Sequence, residues 1–391
     1  MASEERLPHK VREPIEAMAA FWKSSKWILL LLGVFLSACV LAPPQQPAAT
    51  ATPSTTQTLY DNQTIRLIVP FAPGGGTDTW ARTVAPQLQK HLGRNVRVQT
   101  INRPGASGVA GTNAFFYNHD PQTILVSSGS IFFPYLLGDS SVEYDFNQFV
   151  PILGSPVGGI VFVSPTTGIT SVDDLCSTEQ RLTYGGISAS GLDIVPLITF
   201  ELLGLDVQTF FGYDGKGASR VAFEQGETTI EFQTTPGYLA NGERLMEANL
   251  TVPLFTFGLL NNQGQVVRDP AFPDLPTVQE VYTICFGTEP SGVAWDVYKG
   301  TLAAGFTIQK VMWVHGDTPE EAITALRQAA ETAVSDPEFR ESAQNLIGNY
   351  DFFIGHEAQL TFAAASSLSP ESITWLKTLL AEKYSASPAE E

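Results

Sequence analysis

The stretch IRLIVPFAPGGGTDTWAR, from Ile65 to Arg82, sets an apolar run against three consecutive glycines and a helix start. The same unit returns further along the chain. Ile65–Phe71 is apolar after Arg66, as in a strand buried on both faces, and such strands belong to sheets covered by helices on each side. Beyond the glycines, Trp80, Val84, Leu88 and Leu92 recur at every fourth position with Ala81 and Ala85 beside them. That spacing predicts a helix capped by Thr77 or Asp78 at its start and Gly93 at its end, with Pro86 either kinking it or marking its irregular end.

Asn95–Ile101 alternates around Val96 and Val98 and runs into NRPGASG, and TILVSSGS opens another round at Thr123. A second set starts near Gly159 with IVFVSP, a helix start at SVDDL, the strand and loop RLTYGGISASG, and a helix to Leu203. It continues with VQTFFGYDG, a helix over Lys216–Glu224, and TTIEFQTTP. This alternation predicts an α/β protein with mainly parallel sheets faced by helices, and two such sets predict two lobes. A chain of 391 residues has room for both, since single cores stop growing at roughly 250–300 residues. Towards the C-terminus, TPEEAITALRQAAETAVSD places Thr318 as cap, Glu321 at the capping-box position, and Ala322, Leu326, Ala329 and Ala333 on one helix face.

The formal net charge of −18 disfavours nucleic acid and leaves no polybasic patch for a membrane surface. An anion would have to be drawn in locally, by backbone N–H groups and helix N-termini in a cleft. The three cysteines form no C-x-x-C pair and no His/Cys cluster at metal-ligand spacing, so no metal site or thiol redox chemistry is expected. Cys176 and Cys285 are candidates for a disulfide in an oxidising compartment, a question the sequence leaves open because it does not supply their separation.

Near the N-terminus, Lys23 and Lys26 precede an apolar run from Trp27 to Leu36, followed by Ser37, Ala38 and Cys39. The run is too short for a membrane span and has the flank and small-residue end of a secretory signal. LSAC resembles the bacterial lipobox, which makes Cys39 the expected lipidation site and lipid-anchored first residue. The region before the apolar run is long, and Met18 offers an alternative start. VLAPPQQPAATATPSTTQT then reads as a semi-extended tether, and SASPAEE at the far end as an acidic tail.

Familiar chemistries fail on particular residues. Thr79 stands where the third glycine of G-x-G-x-x-G would be, and the GK[ST] of a P-loop is missing. Gly186–Ser190 falls one residue short of G-x-S-x-G, and His356-Glu357 lacks the second histidine of H-E-x-x-H. The pairs Asp173-Asp174 and Glu320-Glu321 sit at helix starts, where the macrodipole accounts for them. What remains is a set of small polar glycine loops, PFAPGGGTD, NRPGASG, SSGS, GGISASG and GYDGKGAS. Each by itself is compatible with a tight turn. Together, at the carboxyl ends of strands in an open α/β sheet, they lie where ligands bind, and their N–H groups form nests that suit carboxylates. Aromatic residues such as Phe71, Trp80 and Phe132 fit either the cleft or the core, with core the commoner fate.

IRLIVPFAPGGGTDTWARTVAPQLQKHLG followed by VRVQTINRPGASGVAGTNAF resembles the opening of the periplasmic solute receptors of tripartite tricarboxylate transporters, the Bug family. The likeness continues through SVDDL, LTYGGISASG, GYDGKGAS and FPDLPTVQE to DPEFRESAQNLIG, and so covers 59–383. It implies a type II periplasmic binding protein fold, two αβ lobes joined by two crossing strands, and no enzyme activity or cofactor. The implied division is 1–38 signal peptide, 39–58 tether, 59–157 and 255–384 first lobe, 158–254 second lobe, and 385–391 tail.

The resemblance also implies a carboxylate held by backbone N–H groups and water rather than arginine. In the first lobe the matching residues are Pro73, Gly74, Gly75, Gly76, Thr77, Asp78, Ser127, Ser128, Gly129 and Ser130, and Phe71 beside them is a further candidate on its aromatic character alone. In the second they are Ser188, Ala189, Ser190, Tyr213 and Asp214. Neutral donors would let an acidic protein bind an anion without burying a cation. The expected molecule is a lipid-anchored monomer outside the cytoplasm that binds a small organic carboxylate and passes it to membrane permease subunits. The alternatives are a sensor of the same fold acting with a signalling partner, and a serine-dependent enzyme using Ser128 or Ser188. The chain departs from the family at EFQTTPGYL, at GYDG and in an extra stretch around TICFGTEPSGVAWDVYKG. Asp214 near the cleft is expected to repel a second carboxylate and so to favour a monocarboxylate or partly neutral solute.

Overall fold

The computed structural model describes residues 59–385 apart from 262, 366 and 367. The expected signal segment, the tether with Cys39 and residues 386–391 of the expected tail lie outside the described residues. No helix among the described residues is long and apolar enough to cross a membrane.

In chain order the strands are β1 Thr64–Val69, β2 Arg97–Asn102, β3 Thr123–Ser128, β4 Phe149–Ser155, β5 Gly159–Val163, β6 Leu182–Gly186, β7 Val207–Phe211, β8 Ile230–Thr234, β9 Val252–Thr256, the short pair β10 Leu259–Leu260 and β11 Val266–Val267, β12 Lys310–His315 and β13 Phe353–Ile354. They form a six-stranded sheet ordered β13-β4-β12-β3-β1-β2 and a five-stranded sheet ordered β7-β6-β8-β5-β9. Both are mixed, where mainly parallel sheets were expected. β12 runs antiparallel between β3 and β4, and β5 runs antiparallel between β8 and β9. The reason is the crossing of the chain. β4 leads through 156–158 straight into β5, and β12 is entered on the way back from the second sheet. A strand that enters from the shared edge runs against strands whose carboxyl ends form that edge.

The helices are α1 Gly76–Leu92, α2 Val109–Phe116, α3 Phe132–Leu137, α4 Val172–Ser177, α5 Ile194–Leu202, α6 Lys216–Glu224, α7 Thr235–Leu239, α8 Gly242–Glu247, α9 Val278–Phe286, α10 Val293–Leu302, α11 Glu320–Ser335, α12 Pro337–Ile347, α13 His356–Ala365 and α14 Pro370–Tyr384. On one face of the first sheet, Trp80, Val84 and Leu88 of α1 pack with Leu326 and Ala329 of α11. Phe132 and Phe146 fill the opposite face against Trp313. Packing divides the stretch 255–384 between the sheets. Val278 of α9, Tyr298 of α10 and Leu376 of α14 join the cluster around Phe232 and Phe255 of the second sheet, whereas α11 and α12 stay with the first. The extra stretch around TICFGTEPSGVAWDVYKG thus forms the end of α9 and most of α10, tied to α4 by a disulfide between Cys176 and Cys285 with Cα atoms 5.1 Å apart.

Three local expectations change. α1 starts at Gly76 with Gly75 as its cap, so Thr77 and Asp78 lie inside the first turn. It runs unbroken through Pro86, which is exposed, so water can serve the carbonyl that the ring leaves without a donor. α11 starts after Pro319, with no side-chain cap from Thr318.

At the crossing, the Tyr350 hydroxyl accepts from Gly158 N–H at 2.9 Å and lies 2.6 Å from Thr235 Oγ1 and 2.8 Å from Asp269 Oδ1. A Cβ on Gly158 would meet Asp269 Oδ2 at 1.6 Å. Only glycine lets these segments approach so closely.

Candidate functional site

The carboxyl ends of β1 and β3 with the start of α1 face the loops after β6 and β7 with the start of α6, across a cleft of about 840 Å³. Two helix N-termini thus point into one space. The first helical hydrogen bond of α1 is Thr79 N–H to Gly75 O, which leaves the amides of Gly76, Thr77 and Asp78 without helical acceptors. α6 repeats the arrangement, with Ala218 and Ser219 bonding to Gly215 O, so the amides of Lys216 and Gly217 lack helical acceptors. Each end offers donors and partial positive charge to an anion.

On the first wall, Phe71, Pro73, Gly74, Gly75, Gly76, Thr77, Ser128 and Ser130 line the cleft. Three other candidates support it from behind. Asp78 is buried and accepts from Gly74 N–H at 2.9 Å, Asn102 Nδ2 at 3.0 Å and Arg82 Nε at 3.0 Å. Burial alone would raise its pKa, but the bonds from Arg82, Gly74 and Asn102 hold it below the usual carboxylate value. Asp78 is therefore the brace of the glycine turn, and the Gly74 amide is spent on it. Ser127 is turned into the sheet, accepting from Trp313 Nε1 at 2.9 Å and donating to Val311 O at 3.3 Å. Gly129 lies against the backbone of Gly305, where a Cβ would come within 2.3 Å of its oxygen.

On the second wall, Ser188, Tyr213 and Asp214 line the cleft, whereas Ala189 is buried in the core. Ser190 pairs its hydroxyl with that of Ser188 at 3.0 Å. The amides of Ile187 and Ser188 bond to Asp193 Oδ2 at 2.8 and 3.1 Å, and the Tyr184 hydroxyl bonds to Asp193 Oδ1. Behind them, Lys216 pairs with the fully buried Glu231 and stands 4.0 Å from Asp193 and 4.3 Å from the Phe232 ring centre. Burial pushes the Glu231 carboxyl up to about 7 against the pull of Lys216. Asp214 itself is exposed. Its charge is screened by water, so the repulsion expected from it is a weak filter against dicarboxylates.

The main departure from the sequence reading is Lys310, which lines the cleft while only 1% exposed. An anion site without a buried cation was expected. β12 pairs Lys310 with Ser128 of β3 and Ser155 of β4, and its antiparallel direction brings its first residue to the cleft edge. Lys310 Nζ donates to Thr77 Oγ1 at 2.8 Å and to Gln309 Oε1. Gln309 in turn accepts from Ser128 Oγ at 3.2 Å, and Ser128 lies 3.4 Å from the Ser130 hydroxyl. No carboxylate among the described residues is in ion-pair reach of Lys310, and burial lowers its pKa to about 7. The sequence signal was a lysine opening KVMWVH, a strand buried at every position. Asp193, Lys216 and Thr234 were also missed, although they line the same space.

The hydroxyls proposed as nucleophiles bond to Gln309 and Ser130 in the case of Ser128, and to Ser190 in the case of Ser188. Neither contacts an imidazole, so no Ser–His pair is formed among the described residues. Ligand atoms of His119, His315 and Asp317 lie within 4.8 Å of one another, at the opposite end of β12 from Lys310.

No protein-family model matches the chain. It is 31% identical over 267 residues to Protein BugT of Bordetella pertussis, an alignment covering 65% of this chain and 73% of that protein. The fold is similar to the periplasmic binding protein BugD, with a TM-score of 0.60, 19% identity and coverage of 81% of this chain and 96% of the other. An R. palustris protein solved with adipate superimposes with a TM-score of 0.62 at 21% identity, covering 81% and 96%.

Proposed function

We propose, from the premise that this chain belongs to the Bug family of periplasmic solute-binding proteins, that its cleft captures a small organic carboxylate for delivery to a tripartite permease. The observation that carries this reading is the convergence of two helix N-termini on one cleft with Lys310 at its base. A carboxylate accepts from N–H donors at helix starts and needs no reaction to be recognised. Adipate, bound by a structural relative, is the first probe to use. The lobes would close on the solute through the crossing at 156–158 and reopen at the permease. Lipidation of Cys39 would keep the receptor beside that permease, and a mass increase on the mature N-terminal cysteine is the check for it.

The test of binding is a thermal-shift screen of the purified protein against mono-, di- and tricarboxylates, including adipate. A ligand at a hundred times its Kd stabilises by about 2.7 kcal/mol. Absence of any shift across the panel would overturn the carboxylate reading.

A further inference from the structure

We propose that Lys310 seats one carboxylate of the solute, and that binding loads a proton onto its amine, so that capture is coupled to proton uptake. The inference rests on the carboxylate reading above. It starts from geometry: an amine 1% exposed, lining the cleft, with only neutral oxygens as partners. An ammonium has three donors. Thr77 and Gln309 engage two, and the third is available to a ligand.

No carboxylate among the described residues pairs with the amine itself. On the neighbouring strands Lys310 is paired with Ser128 and Ser155. From α1 it meets Thr77, and the adjacent Asp78 is held by Arg82, Asn102 and Gly74. Across the cleft Lys216 is engaged by Glu231 and stands 4.0 Å from Asp193, which also lines the space, and Arg220 is paired with Glu224. Asp214, which also lines the cleft, is exposed to solvent. The Nε2 of the adjoining Gln309 is buried with no partner among the described residues, a further donor beside the amine.

A buried amine without a counter-ion gives up its proton easily, here at about pH 7 because of burial. A carboxylate placed against it restores the ammonium, raising the amine towards its ordinary value of 10.5. The coupling then has a definite sign. Below about pH 7 the amine is already charged and affinity is flat. Above it, each bound solute draws a proton from water, and Kd rises by up to about tenfold per pH unit.

Adipate, almost fully ionised from pH 7 upward and mostly so at pH 6, is titrated by calorimetry at about pH 6, 7, 8 and 9, with two buffers of different ionisation heat at pH 8. The expected result is a rise in Kd of about twofold or less between pH 6 and 7, a rise approaching tenfold between pH 8 and 9, and uptake of nearly one proton per adipate at pH 8. Lys310→Met should weaken binding roughly ten- to a hundredfold at pH 6 and remove the alkaline slope, and Lys310→Arg should remove the slope while keeping charge. Binding whose Kd is unchanged from pH 6 to 9, with no proton uptake, overturns the proposal and leaves the carboxylate reading intact. Uptake that persists in Lys310→Arg also overturns it, by placing the proton elsewhere. Failure of every carboxylate to bind at any pH overturns the carboxylate reading and this inference with it. The wild-type proton count needs no variant to fold.

Discussion

Removing the Cys176–Cys285 bridge should lower stability without touching affinity. The bridge spans a sequence separation of 109 residues, and closing a loop of that size costs the unfolded chain about 4.7 kcal/mol in the chain-entropy description. That cost is absent from the folded protein, where α4 and α9 already hold the two Cα atoms 5.1 Å apart. A folded body of roughly 330 residues unfolds with an entropy of roughly 0.7 kcal/mol/K. The double variant Cys176→Ala/Cys285→Ala should therefore melt about 7 °C lower than the oxidised wild type, measured by scanning calorimetry. Reducing the wild type should reproduce the shift. Neither α4 nor α9 lines the cleft, so the Kd for adipate should stay within twofold. A drop below about 2 °C, with the bridge shown to be oxidised at the start, would refute the loop-closure reasoning.

Gly129→Ala should cost about 1–3 kcal/mol in urea denaturation, because its Cβ would lie 2.3 Å from the Gly305 oxygen and the nearest atoms are all backbone; a neutral result would mean that the two segments do not pack so closely there. Asp193→Ala strips the amides of Ile187 and Ser188 and the Tyr184 hydroxyl of their acceptor and should cost about 3–5 kcal/mol; equal urea midpoints would refute this brace. The raised pKa of Glu231 sets a pH trend, since the folded carboxyl holds its proton up to about 7 whereas the unfolded one releases it near 4.5. Its stabilisation is complete below pH 4.5 and lost as pH rises towards 7, and Glu231→Gln should flatten that decline in a pH series of urea midpoints.

Much of the first wall was legible because glycine and hydroxyl residues cluster after apolar strands. PFAPGGGTD placed Gly74, Gly75, Gly76 and Thr77 at the cleft, and GYDG placed Tyr213 and Asp214 there. Within each loop the reading stopped short, because adjacent residues point in opposite directions. Ser128 faces the cleft while Ser127 binds Trp313, and Ser188 faces it while Ala189 is core. Asp78 and Asp193 show a second limit. A carboxylate beside a glycine turn reads as a ligand contact or a cap, and only the fold reveals that it accepts the turn's own amides.

Local order belongs to the sequence. Apolar runs, glycine turns and helical spacing are short-range properties, so they announce the α/β units, the loops at the strand ends and the family likeness of 59–383. Long-range direction belongs to the tertiary structure. The antiparallel entry of β12 from the second sheet brings Lys310 to the floor of the cleft, 233 residues from the Thr77 hydroxyl that it bonds. The same crossing puts α9, α10 and α14 with the second sheet and brings Cys285 to Cys176. No periodicity encodes such meetings, because they depend on which edge the returning chain enters. The charge state of Lys310 follows from that geometry, through the water it excludes.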